Sequence, residues 1–98
     1  MTENNLENRA CQLTREFIGH AIKVRGENPE YAQSPEQTNM ILGMELSRIA
    51  NSGDQGQQQD VLNGLHKGLN QLRLSESEKN SIFSTLAPQI MPGYKSED

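Results

Sequence analysis

Two histidines and one cysteine are the side chains in this chain whose chemistry could support catalysis at neutral pH. His20 and His66 titrate naturally near neutrality. Each lies beside an apolar helical stripe, where a histidine more often completes the edge of a core than acts as a base or ligand. A nucleophilic Cys11 would need a nearby base and an electropositive setting. Its place in a stripe with Ile18 and Ile22 instead indicates a small buried apolar residue.

The spacing of the potential ligands does not support a metal or cofactor site. The chain contains no His-x-x-x-His, Glu-x-x-His or Cys-x-x-Cys motif, the spacings that bring ligands together on a helix or turn. A single cysteine also excludes an internal disulfide. Gly53 and Gly56 are not followed by the Lys-Ser or Lys-Thr of a phosphate-binding loop. We therefore predict a protein that is not an enzyme and uses no catalytic residue, cofactor or metal ion.

The composition is that of a small polar chain with a modest core. Of its 98 residues 33% are hydrophobic, the formal net charge is −4, and the mean hydropathy is −0.78. The nine Lys and Arg residues are dispersed, which argues against nucleic-acid binding because phosphate contacts require clustered cations. No apolar run approaches the roughly 18 residues of a membrane span, and the first residues lack signal-peptide character. We expect a cytoplasmic protein without membrane association.

Capping patterns mark the beginnings of two helices. Ser34 is followed by Pro35 and Gln37, and Ser75 is followed by Glu78. A serine with Gln or Glu three residues later has the pattern of a capping box, and proline is favoured at the first helical position. Strand-like alternation is absent throughout the sequence. These patterns predict an all-α fold.

The stretch at 50–60, ANSGDQGQQQD, indicates a tight turn and not a flexible linker. Gly53 has the position of the C′ glycine that follows a helix. Asp54 and Gln57 have the pattern of an N-terminal capping box, so the next helix would begin directly after this glycine. Pro88 is expected to end the last helix. The prediction is a single domain over residues 1–98, with a mobile tail at 91–98 and helices at about 5–25, 35–51, 55–73 and 76–87.

The second predicted helix carries apolar side chains around most of its circumference, including Met40, Ile41, Met44 and Leu46. A helix that is apolar all round is usually a buried helix. Three other short helices can hardly surround it, whereas a second copy paired through this helix supplies the missing walls. The alternative is that the fourth helix folds back and covers it within one chain. The methionines could also form an adaptable surface for a partner helix, although core filling is the simpler interpretation.

Two glycines in the third predicted helix favour a close helix crossing. Gly64 and Gly68 lie four residues apart, beside a stripe that contains Leu65 and Leu69. Small residues allow two helix backbones to approach each other. The alternative is that both are weak helix positions, each costing about 1 kcal/mol relative to alanine.

The run MILGMELSRIAN at 40–51, followed after a short turn by QQQDVLNGLHKGL at 57–69, resembles the YejL-like family of short uncharacterised bacterial proteins. The resemblance covers residues 38–72 and rests on apolar and small residues. It implies an all-α fold in which helical protomers intertwine as a homodimer with no established activity. The longer loop at 26–34 and the segment from Leu74 onward depart from the family pattern, which leaves the role of the fourth helix open.

The residues implied by this resemblance and by the helix faces define a predicted homodimer interface. It consists of Met40, Ile41, Leu42, Gly43, Met44, Leu46, Ile49, Val61, Gly64, Leu65, Gly68 and Leu69.

Our interpretation of the sequence is a non-enzymatic, homodimeric helical protein that acts by protein–protein interaction through its polar outer faces. The alternative is a small transcriptional regulator that contacts DNA through a helix-turn-helix-like pair at 35–73. The glutamines of QGQQQDV could read adenine edges, but only Lys67 and Arg73 would provide positive charge for phosphate contacts. An enzyme is the third hypothesis. The sequence does not indicate a specific partner or pathway.

Overall fold

Four α-helices and one 3₁₀ turn form the part of the chain that the structure describes. The computed structural model describes residues 5–31, 34–50 and 55–94 of the chain. The elements are α1 (Asn5–Glu27), a 3₁₀ turn (Pro29–Tyr31), α2 (Pro35–Ile49), α3 (Gln55–Asn70) and α4 (Glu76–Ile90). These described ranges contain helices, turns and bends but no strand. The predicted all-α class is therefore confirmed.

Both predicted serine caps form. Ser34 is extended, with φ −66° and ψ 153°, and its Oγ accepts a hydrogen bond from Gln37 N–H at 3.1 Å. Ser75 forms a complete capping box with Glu78: Ser75 Oγ accepts from Glu78 N–H at 3.1 Å, and Glu78 Oε1 accepts from Ser75 N–H at 3.0 Å. These bonds satisfy amide groups that have no partner within the helix. The predicted caps Gly53 and Asp54 lie outside the described residues.

The prediction that Pro88 ends the last helix is wrong. Helix α4 continues through Pro88 to Ile90. A proline removes one helical hydrogen bond, here the bond to the carbonyl of Ser84. Ser84 and Pro88 are both exposed, so water can satisfy that carbonyl, and the helix extends far enough to bury Ile90.

Residues 91–94, predicted as part of a mobile tail, pack against the core. Met91 N–H donates to Ala87 O at 2.9 Å, and Tyr94 N–H donates to Met91 O at 2.9 Å. The Tyr94 ring meets the Phe83 ring edge to face, with centroids 5.9 Å apart. This segment therefore covers the end of α4. The remainder of the predicted tail, 95–98, lies outside the described residues.

The α1–α3 pair is the most extensive helix contact, and it contains the predicted close crossing. A Cβ atom on Gly64 would lie 2.6 Å from Ala10 Cβ, and one on Gly68 would lie 2.7 Å from Thr14 Cβ. Real Cβ atoms do not approach other atoms so closely, so only glycine fits at either position. The crossing is formed within one chain.

Helix α4 covers one side of α2, as the single-chain alternative predicted. At Gly43 the helices approach closely, and a Cβ atom there would lie 2.9 Å from Leu86 Cδ2. Ser47 Oγ donates a hydrogen bond to Gln89 O at 2.8 Å, which joins the C-terminal ends of both helices.

The core is built mainly of leucine and other aliphatic side chains from all four helices. Each large aliphatic residue that is fully buried contributes about 1.5–3 kcal/mol of transfer free energy. The buried cluster comprises Ala10, Ile18, Leu42, Leu46, Ala50, Val61, Leu62, Leu65, Leu69, Leu86, Ala87 and Ile90.

Candidate functional site

Helix α2 buries one side and exposes the other. Thr38, Leu42 and Leu46, spaced four residues apart, form a row that faces the core and is at most 5% exposed. Met40 and Met44 are offset from that row by two residues, or about 200° of rotation, and are 57% and 58% exposed. The full enclosure expected for this helix is not achieved within one chain.

The exposed side of α2 continues onto neighbouring apolar residues. Ile41 is 37% exposed, and Tyr31 in the 3₁₀ turn is 76% exposed. Tyr31 and Ile41 line the same cavity. We call Tyr31, Met40, Ile41 and Met44 the α2 face. These four are the large hydrophobic side chains left exposed in the part of the chain that the structure describes.

The other residues of the predicted interface lie in or against the core of the single chain. Ile49 is half-buried and packs against the core cluster. The fully buried members contact helices of their own chain, and the exposed members of the predicted set are Met40, Ile41 and Met44. The buried members are Leu42, Gly43, Leu46, Val61, Gly64, Leu65, Gly68 and Leu69.

A cavity of about 560 Å³ opens between α1, the 3₁₀ turn and α2, and Tyr31 and Ile41 of the α2 face form part of its lining. Its apolar wall contains Phe17, Ala21 and Val24 of α1 and Ile41 of α2. Polar residues that line the cavity are Glu16, His20, Tyr31 and Thr38. The volume falls within the range of small-molecule sites, roughly 300–1,000 Å³.

Thr38 is a buried polar residue that was not predicted from the sequence. It is 5% exposed and lines the cavity. Its Oγ1 is buried and has no hydrogen-bond partner among the residues that the structure describes. By contrast, the buried Oγ1 of Thr14 donates to Ala10 O at 2.8 Å. The available signal was spacing, because Thr38 shares the four-residue repeat of Leu42 and Leu46 and so belongs to the buried row.

The histidines and the cysteine do not come together. His20 is exposed and lines the cavity, whereas His66 is exposed on α3 and meets the Phe83 ring edge to face at 5.8 Å. Cys11 is 8% exposed in the α1–α3 interface, which confirms that it is a small buried residue. No group of three His, Cys, Asp or Glu side chains suited to a metal ion occurs within residues 5–31, 34–50 and 55–94.

A cross-helix ion pair lies at the glycine crossing. Lys67 Nζ is 2.7 Å from Glu7 Oε2, and the Glu7 side chain is only 13% exposed. The hydrogen bond and the charge of Glu7 raise the pKa of Lys67 above its ordinary value. Lys67 was one of the two cations available to the DNA-binding alternative, and it is already paired within the chain.

The helix pair required for that alternative is not packed as a unit. Helix α2 packs against α4 and α1, while α3 packs against α1 and α4. In a helix-turn-helix the two successive helices pack against each other, so that the first supports the second in the groove. The described parts of α2 and α3 lack this arrangement.

No helix in the described ranges combines the length and apolar character needed to cross a membrane. Comparisons of the chain with protein-family models, with curated proteins and with solved structures found no match. The resemblance to the YejL-like family therefore stays a prediction based on the residues of the two runs.

Proposed function

We propose that the protein is a non-enzymatic homodimer that acts by binding other proteins, and that two copies meet through the α2 face. The observation that carries this proposal is the exposure of Met40, Ile41 and Met44 on a helix whose opposite side forms the core. Burial of apolar surface contributes about 25 cal/mol per Å². A second copy placed on this face would bury these three side chains, and the dimer would be stabilised by that free energy.

The chemistry of the face suits contact between two helices. Residues 37–44 carry no charged side chain, so their burial requires no desolvation of an ion. Methionine side chains are unbranched and polarizable, and they adapt to a facing surface. These properties support a helix–helix contact through Met40 and Met44.

The face is also compatible with two-fold symmetry. Met40 and Met44 lie at equal distances along the helix from residue 42. An antiparallel pairing of two α2 helices about that level places Met40 of one copy beside Met44 of the other. A two-fold interface requires this kind of self-complementary patch, and two-fold dimers are the commonest small oligomers.

The polar outer faces would remain free in such a dimer. One outer surface holds a groove of about 360 Å³ between α3 and α4, whose lining combines the apolar Leu62 and Phe83 with the polar residues Asn63, His66, Asn70 and Asn80. Amide side chains both donate and accept hydrogen bonds, which suits contacts with the backbone of another protein. We assign the partner contact to this polar surface.

The test is the molecular mass in solution of a charge-insertion variant. Met40→Lys/Met44→Lys would place two pairs of like charges in the proposed interface. Ser77→Lys/Ser84→Lys adds the same charge at two exposed positions of α4 and serves as the matched control. Sedimentation equilibrium measures mass for each protein from about 1 µM to 1 mM, a range that covers weak and moderate association.

We expect the wild type and the Ser77/Ser84 variant to approach twice the chain mass of 11.0 kDa as concentration rises. The Met40/Met44 variant should remain a monomer with unchanged helix content by circular dichroism. A wild type that stays monomeric at every concentration, or a Met40/Met44 variant that dimerises equally well, would overturn the proposal.

A further inference from the structure

We propose that two copies of the chain pair with their α2 helices antiparallel, and that Glu36 of each copy forms an ion pair with Arg48 of the other. This pairing rests on the proposed homodimer, whose orientation and register it fixes.

Four exposed side chains of α2 form one row with opposite charges at its two ends. Glu36, Met40, Met44 and Arg48 are spaced four residues apart, and all four are exposed. Residues at this spacing form a ridge on the surface of a helix. The row is self-complementary, because reversing its direction exchanges the acidic end with the basic end and one methionine with the other.

Two such ridges packed side by side form the commonest class of helix contact, with a crossing angle of about 50° between the helices. An antiparallel pair that places Met40 beside Met44 of the second copy keeps the same register along the whole row. Glu36 then lies beside Arg48 of the second copy. Two-fold symmetry produces an identical ion pair at the other end of the apolar contact. In a parallel pairing, like charges would meet at both ends.

The surface beside Arg48 is suited to a carboxylate. A cavity of about 460 Å³ borders Met44 and Arg48 at the C-terminal end of α2. Among the described residues that line it, Arg48 is the one charged side chain, and Gln58 and Gln89 add amide groups. Within its own chain Arg48 is 3.9 Å from Glu45, and the arginine side chain is 72% exposed. A guanidinium has five N–H donors, so Arg48 can bind a second carboxylate.

The helix dipole alone also favours an acidic residue at the start of a helix and a basic residue at its end. Glu36 lies in the first turn of α2 and Arg48 in the last. The dipole acts within one chain, so by itself it predicts no dependence of dimer affinity on these two charges. Dimer affinity therefore distinguishes the ion pairs from the dipole.

The variants are Glu36→Arg, Arg48→Glu and the double variant that carries both substitutions. Glu76→Arg is the control, because Glu76 is an exposed acidic residue in the first turn of α4. It changes the net charge by the same amount as Glu36→Arg. Sedimentation equilibrium at low and high salt measures the dimerisation constant of each protein, and circular dichroism measures its helix content.

At low salt we expect each single variant to dimerise about tenfold more weakly than the wild type, because two attractive pairs become two repulsive pairs. The double variant should regain the wild-type affinity, since it exchanges the two charges. Glu76→Arg should leave the affinity unchanged. These differences should shrink in about 1 M salt, where charges are screened over about 3 Å.

An equimolar mixture of Glu36→Arg and Arg48→Glu provides a second test that does not require the double variant to fold. Each chain of the mixed dimer would meet opposite charges at both ends of the row. The mixture should therefore dimerise about as tightly as the wild type, although neither variant does so alone.

Equal affinity of the wild type and both single variants would overturn the pairing while leaving the homodimer in place. A parallel arrangement predicts that same result, because like charges face each other before and after each substitution. A mixture that dimerises no more tightly than its two components would also overturn the pairing. A wild type that does not dimerise would instead overturn the proposed function, on which the pairing depends.

Discussion

At Gly64 a methyl group would occupy space already taken by the Ala10 side chain and the Glu7 carbonyl. The same holds at Gly68, where Thr14 and the Cys11 carbonyl are the neighbours. Glycine lowers the stability of a helix by about 1 kcal/mol relative to alanine. The two glycines are therefore useful only because they allow α1 and α3 to pack at close range.

We predict that Gly64→Ala destabilises the protein by about 1–3 kcal/mol, the usual cost of overpacking a core. The measurement is the free energy of unfolding from urea denaturation. Gly19→Ala is the control, because a Cβ there would lie 3.7 Å from Leu72 Cδ2, an ordinary contact. That substitution should stabilise α1 by up to about 1 kcal/mol. An equal effect of both substitutions would contradict the close crossing.

The ion pair between Lys67 and Glu7 should make stability depend on pH in the alkaline range. The pKa of Lys67 is raised in the folded state. The ion pair therefore contributes fully to the free energy of unfolding below the pKa that Lys67 has in the unfolded chain. This contribution is lost as pH rises through the pKa that Lys67 has in the folded protein. We expect Lys67→Met to be less stable than the wild type at pH 7.

The difference in unfolding free energy between the wild type and Lys67→Met should fall towards zero as pH rises beyond about 10.4, the ordinary pKa of lysine. Chemical denaturation at several pH values measures it. Lys23→Met, at an exposed position of α1, controls for the loss of a lysine. If the difference between the wild type and Lys67→Met stayed constant up to pH 12, packing of the lysine side chain and not its charge would be the cause.

At the scale of the elements, local hydrogen bonds define where helices begin. The capping box of Ser75 and Glu78 satisfies free amide groups at the first turn of α4, the helix that covers one side of α2. We predict that Ser75→Ala destabilises the protein by about 1 kcal/mol, as loss of an N-cap usually does. Ser77→Ala, in the first turn of the same helix, should change stability by less than about 0.5 kcal/mol.

Thermal or urea unfolding of the two serine variants measures this difference. If Ser77→Ala were as costly as Ser75→Ala, the capping box would not be the source of the stabilisation.

The sequence predicted those features that depend on neighbouring residues. Ser34 and Ser75 were recognisable as caps because the cap and its partner lie three residues apart. The crossing at Gly64 and Gly68 was predicted from their spacing, but the helix that packs against them was not, because several apolar stripes compete for that position.

Features that depend on the packing of distant helices could not be read from the sequence. Helix α4 continues past Pro88, and both Pro88 and Ser84, whose carbonyl loses its helical donor, are exposed residues. Which side of α4 faces water depends on the packing of the other helices. The cavity beside Thr38 arises where α1, the 3₁₀ turn and α2 meet. The sequence also could not tell which side of α2 the other helices cover, because apolar residues occur on both sides.

At the scale of the whole molecule, some apolar side chains lie outside the core although the chain contains few of them. Only 33% of the residues are hydrophobic, and the buried cluster takes side chains from all four helices. Met40, Ile41 and Met44 nevertheless stay outside it. A contact with a second copy accounts for this placement, since it would bury the α2 face without rearranging the core of either chain.

The most direct test of this account is to observe contacts of the Met40 and Met44 methyl groups between chains. A sample mixes protein carrying ¹³C-labelled methionine methyl groups with unlabelled protein, and isotope-filtered NMR detects only intermolecular contacts. Met91, half-buried at the end of α4, is the internal control. The account predicts intermolecular signals from Met40 and Met44 and none from Met91. Their absence at millimolar concentration would contradict it.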